Sequence, residues 1–133
     1  MILFICTGNT CRSPLAAALA KSRGVDAQSA GLMAWPGSPA TDEAIRAAAR
    51  HGGDLKSHRA RPVTEELLKQ ADQVWVMTPE HWSALNQRFP EYAYKVDVLA
   101  PAIPDPYGGD DAVYERCAAR LIEAMKRAGI FKD

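Results

Sequence analysis

Cys6 and Arg12 are separated by five residues, Thr7-Gly8-Asn9-Thr10-Cys11, and Ser13-Pro14 follow at once. These types at this spacing suit chemistry at phosphorus. A loop this short, curled back at the start of a helix, can turn several backbone N–H groups inward. With the helix dipole they form a cradle for a phosphate-sized anion. Arg12 adds a planar fork to two of its oxygens. The same positive field favours a Cys6 thiolate over the thiol. A thiolate beneath a bound phosphate is arranged for nucleophilic attack on phosphorus. Gly8 allows the tight turn, Asn9 tolerates left-handed backbone angles, and Ser13 is placed to donate a hydrogen bond to the thiolate. Alone, Cys-x5-Arg also describes a buried structural cysteine in an ordinary strand–loop–helix turn.

The flanking elements favour the chemical reading. Ile2-Leu3-Phe4-Ile5 is a continuous apolar run that reads as a buried strand. Pro14 to Lys21 reads as a helix, with Pro14 suited to its first position, where a missing N–H costs nothing. The motif is therefore strand, loop, helix.

The 133 residues suffice for one domain, 1–133, with one core. Sixteen basic residues balance sixteen acidic ones, so no global charge draws the chain to nucleic acid or an acidic membrane. No apolar run is long enough to cross a bilayer, and the apolar start lacks the charged region and cleavage site of a signal peptide. A cytoplasmic monomer is expected. Three cysteines are an odd number and do not make a disulfide framework. His51, His58 and His81 match no zinc-ligand spacing with the cysteines, and no metal or other cofactor is called for.

Along the chain, Gly24 should stop the first helix, and Asp26 to Ala30 reads as a second strand ended by Gly31. Leu32 to Ala40 is a loop full of breakers, leaving the carboxyl end of that strand. Ligands bind at that edge of a doubly wound sheet, so Met33 and Trp35 are candidates to wall the pocket, or loop anchors packed on the core. Helices are expected over Thr41 to His51 and Thr64 to Ala71, and a third strand over Gln73 to Met77. Thr78 caps a helix beginning at Pro79 and stopping at Pro90, with His81 on its surface and Trp82 toward the core. Lys95 to Leu99 is the fourth strand. Asp110 caps a last helix, Asp111 to Ala128, whose stripe of Tyr114, Cys117, Ala118, Leu121, Ile122 and Met125 makes Cys117 a core residue. Repeated strand–helix order argues for an α/β fold, a four-stranded parallel sheet with helices on both faces.

The string Cys-Thr-Gly-Asn-Thr-Cys-Arg-Ser-Pro resembles the signature loop of the low-molecular-weight protein tyrosine phosphatases, and Ser29-Ala30-Gly31 resembles that family too. The resemblance implies a three-layer, flavodoxin-like domain with strand order 2-1-3-4. It implies a phosphocysteine at Cys6, phosphate held by Arg12 and the loop from Thr7 to Ser13, and His58 bracing that loop through Asn9. It also implies a reversible disulfide between Cys6 and Cys11 that protects the nucleophile; otherwise Cys11 is a small apolar loop residue.

A leaving group needs a proton, and Asp105 is the candidate acid. Two prolines stiffen its loop, which leaves the carboxyl end of the fourth strand on the same edge as Cys6. Asp105-Pro106-Tyr107 is similar to the motif that carries the family's general acid. Asp97 lies within a strand, and Asp110 and Asp111 look like capping residues. No metal is needed, because Arg12 and backbone amides supply the positive charge.

Substrate choice turns on Thr10. The resemblance is to the protein arginine phosphatase branch, which carries Thr there and a Gly-Gly after the Asp-Pro-aromatic element, as in Gly108-Gly109. Tyrosine-specific members usually carry an apolar residue in place of Thr10. A hydroxyl suits a polar guanidinium, with which Asp105 can also pair. Trp35 and Tyr107 could instead clamp a phenyl ring. The expected partners are phosphorylated proteins, phosphoarginine favoured and phosphotyrosine the alternative, with inorganic phosphate as product. Thioredoxin-coupled arsenate reduction shares the loop but needs resolving cysteines between the third strand and last helix, which this chain lacks. An inactive phosphate-binding module is disfavoured by the joint presence of Cys6, Arg12 and Asp105.

Overall fold

In the computed structural model, which describes residues 1–132, four parallel strands stand in the order β2-β1-β3-β4. They are β1 (Ile2–Cys6), β2 (Ala27–Gly31), β3 (Gln73–Val76) and β4 (Val96–Val98). Five helices connect or follow them: α1 (Arg12–Lys21), α2 (Asp42–Arg50), α3 (Glu65–Gln70), α4 (Pro79–Arg88) and α5 (Asp111–Arg127). The expected strand order and helix-covered sheet are what the chain adopts.

Alternation along β1 builds a core on each face. Phe4 and Cys6 join the cluster under α1, α2 and α5, with Leu15, Leu19, Tyr114, Leu121 and Met125. Leu3 and Ile5 join the other, with Leu67 and Leu68 of α3 and Leu85 of α4. The central strand is thus apolar on both sides, as parallel sheets require. Tyr114, Cys117, Ala118, Leu121 and Met125 are all buried, so the helical stripe read in α5 is its core face.

Three local differences have simple causes. Helix α1 starts at Arg12, because Leu15 N–H donates to Cys11 O (3.1 Å) and closes the first turn earlier. Pro14 is its third residue, where an N–H would still lack a partner within the helix. The chain does not run loose from Pro90 to the fourth strand but forms a 3-10 turn, Pro90–Lys95. β4 is shorter than expected, although Leu99 N–H still donates to Val76 O (2.9 Å) and prolongs its alignment with β3. The loops after β1, β2 and β4 leave one edge of the sheet, which brings residues a hundred positions apart together. Among the described residues, no helix is long and apolar enough to cross a membrane.

Candidate active site

Residues 7–11 join β1 to α1, and the carbonyls of Cys6, Thr7, Asn9 and Thr10 are bonded to neighbouring segments, away from the loop's centre. Cys6 O accepts from Leu32 N–H (2.9 Å), Thr7 O from Met33 N–H (2.9 Å) and Thr10 O from Thr41 N–H (3.1 Å). Asn9 O accepts from His58 Nε2 at 2.7 Å. In a trans peptide the N–H points opposite the preceding carbonyl. The amides of Thr7, Gly8, Thr10 and Cys11 therefore face the other way, toward the hollow of the loop. Helices α2, α3, α4 and α5 have side-chain caps from Thr41, Thr64, Thr78 and Asp110, whereas no side chain caps α1. Its first N–H groups and its dipole remain available to an anion.

Asn9 holds this shape. The left-handed backbone angle falls on it (φ 57°), and Gly8 is not left-handed. A Cβ on Gly8 would approach only Thr10 Oγ1, at 3.7 Å, so the turn does not rest on Gly8 as the sequence suggested. The buried Asn9 amide donates to Ser13 Oγ (2.8 Å) and Ser29 Oγ (2.9 Å) and accepts from Arg61 N–H (3.0 Å). The end of β2 passes close behind: a Cβ on Gly31 would meet Thr7 O at 2.7 Å and Asn9 Cβ at 3.0 Å. Only glycine lets the two backbones approach this closely.

A cleft of about 230 Å³ opens onto Cys6, Thr7, Gly8, Thr10, Cys11, Arg12, Asp105 and Tyr107. Cys6 is buried at its floor, with Sγ 3.0 Å from Ser13 Oγ. Arg12, also buried, donates through Nη1 to Ile103 O (3.0 Å), and its Nη2 lies 3.9 Å from Asp105 Oδ2. Asp105 is largely exposed and accepts from Tyr107 N–H through Oδ1 (3.0 Å), which turns its loop back on itself. Ile103 N–H donates to Met77 O (2.9 Å), anchoring that loop to the end of β3. A thiol, a fixed cation and a carboxyl group thus share one opening.

Met33 and Trp35 are not among the residues lining this cleft. They stand 81% and 80% exposed on the neighbouring loop, while Tyr107, 74% exposed, does line it. Cys11 Sγ lies 3.2 Å from the Tyr114 hydroxyl. Burial, reinforced by that sulfur, pushes the Tyr114 phenol up, so it stays protonated and available as a donor. Burial pushes the Cys117 thiol up to about 12, which leaves it inert in the core.

His81 corrects the expectation of a surface residue. It is buried, and its Nε2 lies 3.0 Å from Thr7 Oγ1. Burial, and then the Arg12 charge, lower its imidazole to about 4, so the ring beside the loop of residues 7–11 is neutral at ordinary pH. The signal was available: His81 lies four residues before Leu85, the other buried residue of α4. Trp82, read as core, is half-buried against the second cluster, its indole donating to Val96 O (3.2 Å). The bond from Arg61 N–H to Asn9 is not legible in the sequence, because a backbone amide that finds its acceptor across the fold leaves no local mark.

The sequence model for low molecular weight phosphotyrosine protein phosphatase matches residues 1–128. A protein-arginine-phosphatase of Bacillus subtilis is 37% identical over 95% of this chain and 92% of its own length. Etp, a low molecular weight protein-tyrosine-phosphatase of Escherichia coli, is 34% identical over 94% of this chain and 89% of its own. Among solved structures, the arginine phosphatase YwlE, a Cys-to-Ser mutant with a phosphorylated active-site serine, superposes with a TM-score of 0.90 at 36% identity, covering 96% of this chain and 91% of that one.

Proposed function

This chain belongs to the low molecular weight phosphotyrosine protein phosphatase family, and we propose that it is a cysteine-dependent protein phosphatase acting on phosphoarginine side chains. The observation that carries this reading is the single cleft shared by Cys6, Arg12 and Asp105. The Cys6 thiolate attacks phosphorus in line with the leaving atom. Arg12 and the inward amides hold the three equatorial oxygens as charge builds on them. The bond from phosphorus to the guanidinium nitrogen breaks, and the Asp105 carboxyl group gives that nitrogen its proton. A phosphocysteine remains. Asp105, now a carboxylate, takes a proton from water as the water attacks phosphorus. Inorganic phosphate leaves, and the Cys6 thiolate returns.

Thr10 supports the phosphoarginine reading, since it lines the cleft with a hydroxyl where an apolar wall would suit a phenyl ring. Gly108-Gly109 carries less weight. A Cβ on Gly109 would meet Val113 at 2.7 Å and Pro106 O at 2.9 Å, so the turn into α5 requires glycine whatever the substrate. Phosphotyrosine is the second reading, supported by the exposed Tyr107 ring at the mouth. We take the working enzyme to be a cytoplasmic monomer, a single domain spanning the chain, since a nucleophilic thiol suits a reducing compartment.

The test is kcat/KM for phosphate release from matched phosphoarginine and phosphotyrosine peptides, in wild type and Thr10→Ile. Wild type is expected to prefer phosphoarginine and the variant to shift toward phosphotyrosine. A wild-type preference for phosphotyrosine rejects the arginine assignment while leaving the phosphatase chemistry standing. Normal turnover by Cys6→Ser rejects both.

A further inference from the structure

A second cavity, also about 230 Å³, lies behind the phosphate loop, between α1, the edge strand β2 and the loop after α2. It shares no residue with the catalytic cleft. Lys21, Arg59 and Arg61 line it, with Asp54 the one carboxylate among them. Among the described residues, none of the three cations has a carboxylate within ion-pair distance, and Asp54 Oδ1 instead accepts from Lys56 N–H (2.9 Å). Arg61 is held by neutral oxygens only, Ser29 O (3.0 Å) and Gln28 Oε1 (2.5 Å). Neighbouring cations without ion-pair partners repel one another, and an anion between them relieves that repulsion.

The walls are also the brace of the catalytic loop. His58 Nε2 donates to Asn9 O, Arg61 N–H donates to Asn9 Oδ1, and Ser29 Oγ accepts from Asn9 Nδ2. Three lining residues are therefore each one hydrogen bond from the residue that sets the loop's left-handed turn. His58 itself registers the field. Burial lowers its imidazole, the bond to Asn9 opposes that, and the charges of Arg61, Arg59 and Lys21 lower it further.

We propose that this cavity is a regulatory binding site for a small multivalent anion of the phosphate or diphosphate class, felt at the phosphate loop through Asn9. Its volume lies below the range of about 300–1,000 Å³ usual for drug-sized ligands, which restricts the guest to a small species. Three cations against one carboxylate favour a guest carrying two or more negative charges.

The experiment is an amide NMR titration of the protein with inorganic pyrophosphate, against sodium chloride at matched ionic strength. Amides of Lys21, Gln28 and Arg59, remote from the cleft, should shift and saturate, with Asn9 moving in step. In Lys21→Glu/Arg59→Glu the apparent Kd read at Gln28 should weaken at least tenfold. Both side chains are exposed, and Lys21→Met/Arg59→Met provides a milder second variant with the same expected direction. Shifts confined to residues 6–13, shifts reproduced by sodium chloride, or an unchanged Kd in the charge-reversed protein overturn the proposal. These readouts involve no turnover, so they stand apart from the catalytic assignment.

Discussion

Cys6 Sγ and Ser13 Oγ are 3.0 Å apart, and the hydroxyl proton between them has a second place to go. Ala30 O lies 3.3 Å from the same oxygen, while Asn9 Nδ2 donates to that oxygen from a third side (2.8 Å). When Cys6 is a thiolate, the proton turns to sulfur. When Cys6 carries phosphate, the proton can turn back to Ala30 O. The serine follows the charge on sulfur without leaving a buried group unpaired.

Ser13→Ala should therefore slow catalysis without closing the cleft. A hydrogen bond to a charged group contributes about 1.5–3 kcal/mol, so kcat should fall roughly ten- to a hundredfold. Inactivation by iodoacetate at pH 7 should slow as well, because the hydroxyl no longer donates to the attacking sulfur. Unchanged rates in both assays would show that Ser13 does not serve the nucleophile.

Asp105→Asn removes the carboxyl group proposed as proton donor and leaves the Arg12 pocket. General acid catalysis is commonly worth about a hundred- to ten-thousandfold, and the loss should be largest for the poorest leaving groups. A series of aryl phosphates, read as kcat/KM against leaving-group basicity, should steepen in the variant. A parallel line would remove Asp105 from the acid role.

Asn9 combines three hydrogen bonds with a left-handed backbone. Asn9→Ala loses both and should destabilise the fold by about 3 kcal/mol. Asn9→Gly restores the backbone freedom and should recover part of that. Urea unfolding of the pair separates the two contributions; equal losses would mean that the backbone angle costs nothing.

His81 predicts an acid-sensitive fold. Its imidazole titrates near 4 when folded and near 6.5 when not. Between these values the unfolded chain binds a proton that the folded chain refuses. Stability therefore rises with pH across that window and falls on acidification, by up to about 1.4 kcal/mol per pH unit. His58, lowered by burial and neighbouring cations, acts in the same direction. Unfolding measured at pH 7, 6 and 5 should show a shallower slope in His81→Asn, which keeps a partner for Thr7. Matching slopes would show that His81 is not the group responsible.

What could be read in advance was local. An apolar run, a loop of turn-forming residues and an alanine-rich helix specify their own backbone, and parallel pairing then puts Asp105 at the edge already occupied by Cys6. Asn9 shows where local reading stops. Its left-handed angle suits its residue type, but its partners Ser29, His58 and Arg61 come from β2 and from the loop between α2 and α3, far along the chain. Met33 and Trp35 show the other limit. A breaker-rich segment locates a loop but does not fix where its side chains point, and both side chains face water.

The exposure of Trp35 gives the protein an optical reporter. Of its three tryptophans, Trp75 and Trp82 are half-buried against the cores. Trp35 is 80% exposed, two residues beyond Met33, whose N–H is bonded to Thr7 O in the phosphate loop. A collisional quencher such as acrylamide must reach Trp35 before the other two. A phosphoprotein that covered this loop as well as the cleft would shield that indole and blue-shift its share of the emission. Docking of such a substrate would then be followed in the fluorescence of the native chain, without a label.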